Sequence, residues 1–334
     1  MKQIFLFFFC FSLISTVAPA ADPVQDGFYN EYDENGVLLR TVEYTGGQPN
    51  GRFRTFYEDG LTKGMGRYLN GKLDGVAFGY YKDGTLQIKS LYRNGVLHGT
   101  SMLYYPDGTP KAEIQYIEGV QEGKMREFSR RGWPVFDRKF VNGLEEGVTK
   151  EYSSEGDVFR EYDFVHGKQK GQMREYFPRG KQKGVWDAEQ GVRNGWGKEY
   201  YRSGELMREG PYKDDKLDGL TLFYYPNGQI RSRVRFKEGL MDDPAYKQFF
   251  ETGELWKVVS VVAGRLEGEV KEYFKTGSLK SVGPYRNNIR EGLFKIYDPD
   301  GALYKEEYYE KDQLVHQREF GSDGKLITEQ FVYE

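Results

Sequence analysis

The 334-residue chain has one cysteine, three histidines and a net charge of only -3. Cys10 lies inside an apolar N-terminal run, so the remainder has neither disulfides nor thiol chemistry. His98, His166 and His316 are far apart in the chain, and no cysteine is there to join them around a metal. A Ser-His-Asp relay would need one of the three, and none stands in a nucleophile motif. With 48 basic against 51 acidic residues, the overall charge gives no reason to expect a nucleic-acid partner. No Asn-x-Ser/Thr acceptor occurs, no segment after the N-terminus is apolar enough to span a bilayer as a helix, and no stretch keeps a 3.6-residue apolar period. Gly180-Lys181-Gln182-Lys183-Gly184 has the look of a phosphate loop but lacks its spacing, and reads as a hairpin turn. Together these absences point to a protein that is not an enzyme and has no cofactor.

The first residues stand apart from the rest. Lys2 precedes an almost wholly apolar run from Ile4 to Val17, and Ala18-Pro19-Ala20 is a small-x-small cleavage site. Residues 1–20 therefore read as a secretory signal peptide, with an exported product in the periplasm, at the cell surface or secreted. A short segment, 21–26, follows.

From residue 27 to 334 the chain repeats. Glycine recurs every 24 residues at 27, 51, 75, 99, 123, 147, 171, 195 and 219. The register slips by one at Pro244, resumes at Gly268 and Gly292, and a partial last unit begins near Val315. That gives about 12–13 units, an array of the kind fixed-period self-similarity signals. Nine residues into each unit sits a second glycine, represented by Gly36, Gly60, Gly84, Gly108 and Gly228. Five residues in, the side chain is always aromatic, as in Tyr80, Tyr104 and Tyr224. Twenty residues in comes Gly, or else Asp215, Asn288 or Asp312, residue types that tolerate a left-handed backbone.

Each unit reads as strand, turn, strand, turn. In Tyr224-Tyr225-Pro226-Asn227-Gly228 the proline presets φ, and the glycine takes the left-handed place that closes a hairpin. A second aromatic column follows at Tyr44, Tyr68, Tyr92, Tyr116, Phe140, Phe164, Tyr212, Phe236, Tyr285 and Tyr309, then turns such as Asn70-Gly71. The fold class is all-β: an elongated single-layer array of stacked 24-residue hairpins with no helical domain. At two strands per unit the array would extend about 120 Å, from the ~4.8 Å strand spacing.

These motifs resemble the MORN repeat in its bacterial variant form: aromatic-aromatic-x-(Asn/Asp)-Gly-x-(Leu/Ile), then aromatic-x-Asn-Gly-x-x-x-Gly. Residues 219–238 carry the pattern nearly whole, and the likeness covers roughly 27–334. It implies a scaffold that binds proteins or membranes. Some members of the bacterial YwqK-like group carry an antitoxin label, which the signal peptide argues against here. Departures fall in the middle units, where Arg130-Arg131-Gly132 replaces the Pro-Asp-Gly turn and Ala188 replaces the second aromatic.

Strand alternation puts Arg126, Lys150, Arg174 and Lys198 on one face with the invariant aromatics, and the ladder Glu127, Glu151, Glu175 and Glu199 on the other. Both aromatic columns read as the buried spine, and the ladder reads as a solvated face, with a striped surface for a charged partner as the alternative. A carboxylate often precedes the unit-starting glycine: Asp74, Glu122, Glu146, Asp218, Glu267 and Glu291. Asp214, Asp215 and Asp218 crowd one turn, the one place where a cation could be held. The second aromatic of each doublet becomes Ser129, Ser153, Asp33 or Asp298 elsewhere, a tolerance that points to partial exposure. Tyr81, Tyr105, Tyr201 and Tyr225 are thus the candidate contacts for a protein or peptide partner. A passive envelope spacer, a carbohydrate or peptidoglycan binder using Trp186, Trp196 and Trp256, and an antitoxin-like partner of a toxin are the alternatives.

Overall fold

The computed structural model describes residues 25–332. Residues 1–20, read as a signal peptide, lie outside the described part. The described residues fall into two compact units, one of residues 25–110 with 115–120 and one of 111–114 with 121–332. In each, the described residues form antiparallel strands and turns without a helix.

The repeat that begins at Gly219 shows how a unit is built. Its strands Gly219–Tyr224 and Ile230–Lys237 pair antiparallel, with Gly219 opposite Phe236 and a bulge between Phe223 and Tyr224. In the connecting turn Tyr225 N–H donates to Gln229 C=O at 2.8 Å and Gly228 N–H to Tyr225 C=O at 2.9 Å. The Asn227 carboxamide oxygen accepts the Gln229 N–H at 2.9 Å. Gly228 sits at φ 85° with open space where a Cβ would be, so conformation alone selects glycine there. The second turn is Glu238-Gly239, at φ 50° and 85°, the two positive values of a type I′ hairpin. The short strand Leu240–Met241 folds back on Phe236 and Lys237, and Asp243–Phe249 opens the next unit against Ser232 and Arg233. Gly219, at φ 123°, has a second constraint: a Cβ there would stand 2.6 Å from Cγ of Pro211.

The turn geometry sets an expected order of variants. Gly108 (φ 83°) and Gly228 both meet little beyond the backbone, so valine at either would cost about 1–3 kcal/mol of left-handed strain. Pro106→Ala loses only preorganisation and should cost under about 1 kcal/mol. Chemical denaturation of the three variants checks the order; Pro106→Ala as the worst would overturn the turn assignment.

Burial leaves only one of the two aromatic columns in the spine. The invariant aromatics Tyr80, Tyr104 and Tyr224 are only half-buried. The opposite face carries the core. In the first compact unit Val42, Phe53, Tyr68 and Leu73 form one cluster, flanked by Tyr44 and Tyr92. In the second, Val259, Val261 and Val270 form another, flanked by Tyr246, Leu266 and Tyr285. The second aromatic column, with Tyr68, Tyr116, Phe164, Tyr212 and Tyr309 all buried, is therefore the spine. Where Ala188 interrupts that column, Trp186, two residues earlier and 4% exposed, supplies the missing ring. Its indole lies over two in-strand glycines: a Cβ on Gly184 would fall 2.1 Å from it, and one on Gly197 2.4 Å.

Candidate binding surface

Three sets of residues were singled out from the sequence, and the structure gives each a definite environment. The doublet tyrosines are half-buried, not a fully exposed strip. The hydroxyls of four of them reach one repeat onward. Tyr57 Oη donates to Tyr80 C=O at 2.7 Å, Tyr81 to Tyr104 at 2.8 Å, Tyr201 to Tyr224 at 2.7 Å and Tyr225 to Phe249 at 3.0 Å. Tyr105 holds the equivalent half-buried place. The rings thus tie consecutive hairpins. Where the column becomes Asp33, Ser153 or Asp298, the side-chain oxygen instead accepts two N–H groups of its own turn. Both solutions satisfy the same loop, which explains why the column tolerates such different residues. Removing the tie without the ring, as in Tyr81→Phe and Tyr201→Phe, should cost about 1 kcal/mol each, read as a fall in the denaturation midpoint.

The acidic row is also structural. Each carboxylate accepts the backbone N–H at the start of the two-residue turn one repeat later: Glu122 from Asn142 at 2.6 Å, Glu146 from His166 at 2.7 Å, Glu267 from Asn287 at 2.9 Å and Glu291 from Lys311 at 3.0 Å. Asp218 does the same for Glu238 at 3.4 Å. Asp215 turns away, to the Arg193 guanidinium at 2.9 Å, and that guanidinium stacks 4.8 Å over Tyr212. Asp312, Arg290 and Tyr309 repeat the arrangement at 3.0 and 3.9 Å. Asp215 and Asp218 therefore serve separate partners, and among the described residues no group of three or more His, Cys, Asp or Glu is placed to hold a metal.

The glutamate ladder faces the buried side, contrary to its reading as a solvated face. Glu127 meets Arg138 at 2.9 Å, and Arg138 reaches Glu145 at 3.8 Å. Burial pushes the Glu127 carboxyl up, with Arg138 opposing. Arg160 lies between Glu175 at 2.8 Å and Glu151 at 3.8 Å, and Tyr162 Oη donates to Glu151 at 3.0 Å. Arg208 and Tyr212 Oη share Glu199 at 2.6 and 2.8 Å. In these units a polar network takes over from the apolar core.

On the opposite face the invariant tyrosines donate to carboxylates across the strands, Tyr176 to Glu161 at 2.8 Å and Tyr224 to Glu209 at 2.6 Å. Burial first, then the facing carboxylate, pushes both phenols up to about 12. A folded pKa above the unfolded ~10 makes their contribution fully present below pH ~10 and lost as pH rises towards about 12. Tyrosinate absorbance should therefore show a late-titrating class that Tyr176→Phe and Tyr224→Phe delete, and stability should fall across that window.

Sequence reading offered Trp196 only as a platform for a sugar and missed the exposed apolar patch around it. Trp196 stands opposite Pro211 across adjacent strands, and both Trp196 and the neighbouring Leu220 are 46% exposed. The signal was available: the column after each unit-starting glycine is apolar at Phe28, Val76, Val148, Trp196, Leu220 and Leu293, in no helical or core-like pattern. Trp186, by contrast, is buried and offers no stacking platform for a sugar.

Hairpin units tied side by side at a 24-residue period make this a β-hairpin repeat protein. The MORN repeat variant family model matches residues 73–94, 97–118, 193–214, 217–238, 266–287 and 290–311, and the chain is a MORN-repeat protein. No curated protein matches it. Among solved structures, the one described as "Crystal Structure of TcdB2-TccC3-TEV" is similar at 10% identity over 89% of this chain and 18% of that one, with a TM-score of 0.18. The related "Crystal Structure of TcdB2-TccC3 without hypervariable C-terminal region" gives 11%, 89%, 18% and 0.16. This chain spans less than a fifth of those chains, and so low a TM-score says nothing about its function.

Proposed function

We propose that the protein is a non-enzymatic binding scaffold, exported and acting in or outside the cell envelope, that holds a protein partner against the sheet. The observation that carries this reading is the Trp196–Pro211–Leu220 patch: an exposed indole on a rigid strand, in a row of apolar neighbours, with the Lys198–Glu209 pair at 3.4 Å beside it. An aromatic anchor with a charged rim is the composition of an interface hot spot. The doublet tyrosines Tyr81, Tyr105, Tyr201 and Tyr225 add ring faces to the contact, with their hydroxyls already engaged in the fold. Capture from envelope extract on immobilised protein tests the reading. Trp196→Ser and Leu220→Ser should abolish capture of the specific partner while leaving the melting curve unchanged; retained capture would overturn it. Export is tested separately by intact mass, which should lack residues 1–20.

A further inference from the structure

We propose that the first compact unit carries a separate small-molecule site, a groove that takes one amphipathic carboxylate: an anionic head with a single apolar chain. This site is independent of the protein-binding patch, which lies in the second unit. The groove has a volume of about 500 Å³, inside the range of ligand sites. Its floor is a row across three neighbouring strands in which Arg54 stands opposite Met65 and Met65 opposite Phe78. Phe56 closes one side. One row along, Arg52 stands opposite Arg67.

The charge pattern sets this place apart from the middle repeats of the second unit. There the same strand position is neutralised: Arg126 has Asp137 at 3.8 Å, Lys150 has Glu161 at 3.6 Å and Lys198 has Glu209 at 3.4 Å. Arg54 has a methionine where those cations have a carboxylate. Among the described residues neither Arg54 nor Arg67 has a carboxylate within 4.0 Å. Arg52, whose side chain is 79% exposed, has only Glu43 at 3.9 Å. Three guanidinium groups therefore border an apolar floor with at most one compensating charge. A carboxylate head would pair with Arg54 and Arg67, for which a planar guanidinium is well suited. Its chain would cover Met65, Phe56 and Phe78, whose apolar surface water otherwise wets. Three strands span roughly 10 Å, so the groove suits one molecule and not an extended membrane surface.

Titration calorimetry with laurate, kept below its micellar concentration, tests the site. Saturable binding of one laurate per chain is expected. Dodecyltrimethylammonium, which has the same chain and the opposite charge, and acetate, which lacks the chain, should not bind. Arg54→Glu should weaken laurate binding by about tenfold or more, since it replaces attraction by repulsion; Arg54→Lys should restore most of it. Arg54 is exposed, so the fold should survive both substitutions, and the denaturation midpoint checks that it does. Equal binding of laurate and dodecyltrimethylammonium, or unchanged binding in Arg54→Glu, would overturn the proposal. So would co-sedimentation of the protein with phosphatidylglycerol vesicles in the absence of laurate binding, which would assign the arginines to a membrane surface instead.

Discussion

Trp186→Ala is expected to destabilise the second compact unit by about 3–5 kcal/mol, the cost of truncating a large buried aromatic without local collapse. The case rests on how the indole is held. It is 4% exposed and fills the place that Ala188 leaves empty in the aromatic spine. Gly184 and Gly197 form two walls of its site, and Arg193 lies 5.6 Å over the ring. Glycines have no side chain that could swing in to fill the hole, so the cavity should persist. Because neighbouring hairpins support one another, unfolding should start at this hairpin and spread. Hydrogen exchange should therefore show the largest loss of protection in strands 182–189 and 192–200. Gly197→Ala is the converse test, since its Cβ would stand 2.4 Å from the indole and 2.7 Å from Tyr212. Should Trp186→Ala lose less than about 1 kcal/mol, the ring is not the spine's substitute.

The repeat, both turns and the strand order were legible in the sequence because each depends on local backbone demands. A glycine at φ near 85° every 24 residues is visible as a letter. Even the substitutions respect the rule: Asp215, Asn288 and Asp312 sit at φ 66°, 70° and 68°. What their letters did not show is a second use, since Asp215 and Asp312 also bind the arginine one repeat back. Alternation correctly separated Glu127 from Arg126, but alternation cannot say which face is buried. Both aromatic columns drew the assignment of core, and only the second is buried. In the structure a less invariant column is buried too: Val42, Ile114, Trp186 and Val234 hold the same place in four different units. A core can vary its side chains if volume is kept. In the invariant column the backbone carbonyls of Tyr80, Tyr104 and Tyr224 accept the tyrosine of the preceding repeat, a bond that any residue could offer, while the side chains of Tyr176 and Tyr224 donate to cross-strand carboxylates.

The candidate surfaces were less legible for a related reason. Tyr81 and Trp196 are both aromatic and both lie in repeating columns, yet one hydroxyl is committed to a neighbour's carbonyl and the other side chain is among the most exposed. Only the path of the bulge, which redirects the chain between the fourth and fifth residues of each unit, separates their environments. Sequence periodicity of two carries no record of a bulge. The groove bordered by Arg54 was hidden in the same way, because its meaning comes from Met65 across the strand and not from any residue nearby in sequence.

Arg160→Met should cost the second unit about 2–4 kcal/mol, less than a fully buried charge because the side chain is 35% exposed. Arg160 bridges Glu151 and Glu175 and donates to Tyr162 Oη at 3.2 Å, while Lys183 pairs with Glu175 alone at 3.2 Å. Without Arg160 the Glu151 carboxylate loses its cation and Glu175 keeps only Lys183. The pH dependence separates this electrostatic account from simple loss of packing. Burial opposes ionisation of Glu175, but hydrogen bonds from Lys183 and Arg160 outweigh it and hold the carboxyl below its ordinary value. A depressed folded pKa gives stability that is present above the unfolded value of ~4.3 and is lost as pH falls through the folded one. The wild-type chain should therefore lose stability on the acid side of pH ~4 through Glu175, and Arg160→Met should lose less there because part of that contribution is already gone. Glu127, whose pKa is raised, works in the other direction: its share is present below the unfolded value and lost as pH rises through the folded one. Replacing Arg160, Glu151 and Glu175 together by Met or Leu should recover most of the lost stability, since an apolar cluster of similar volume avoids the desolvation of all three charges. A triple variant as unstable as Arg160→Met alone would show that the network shapes the strands by more than its charges.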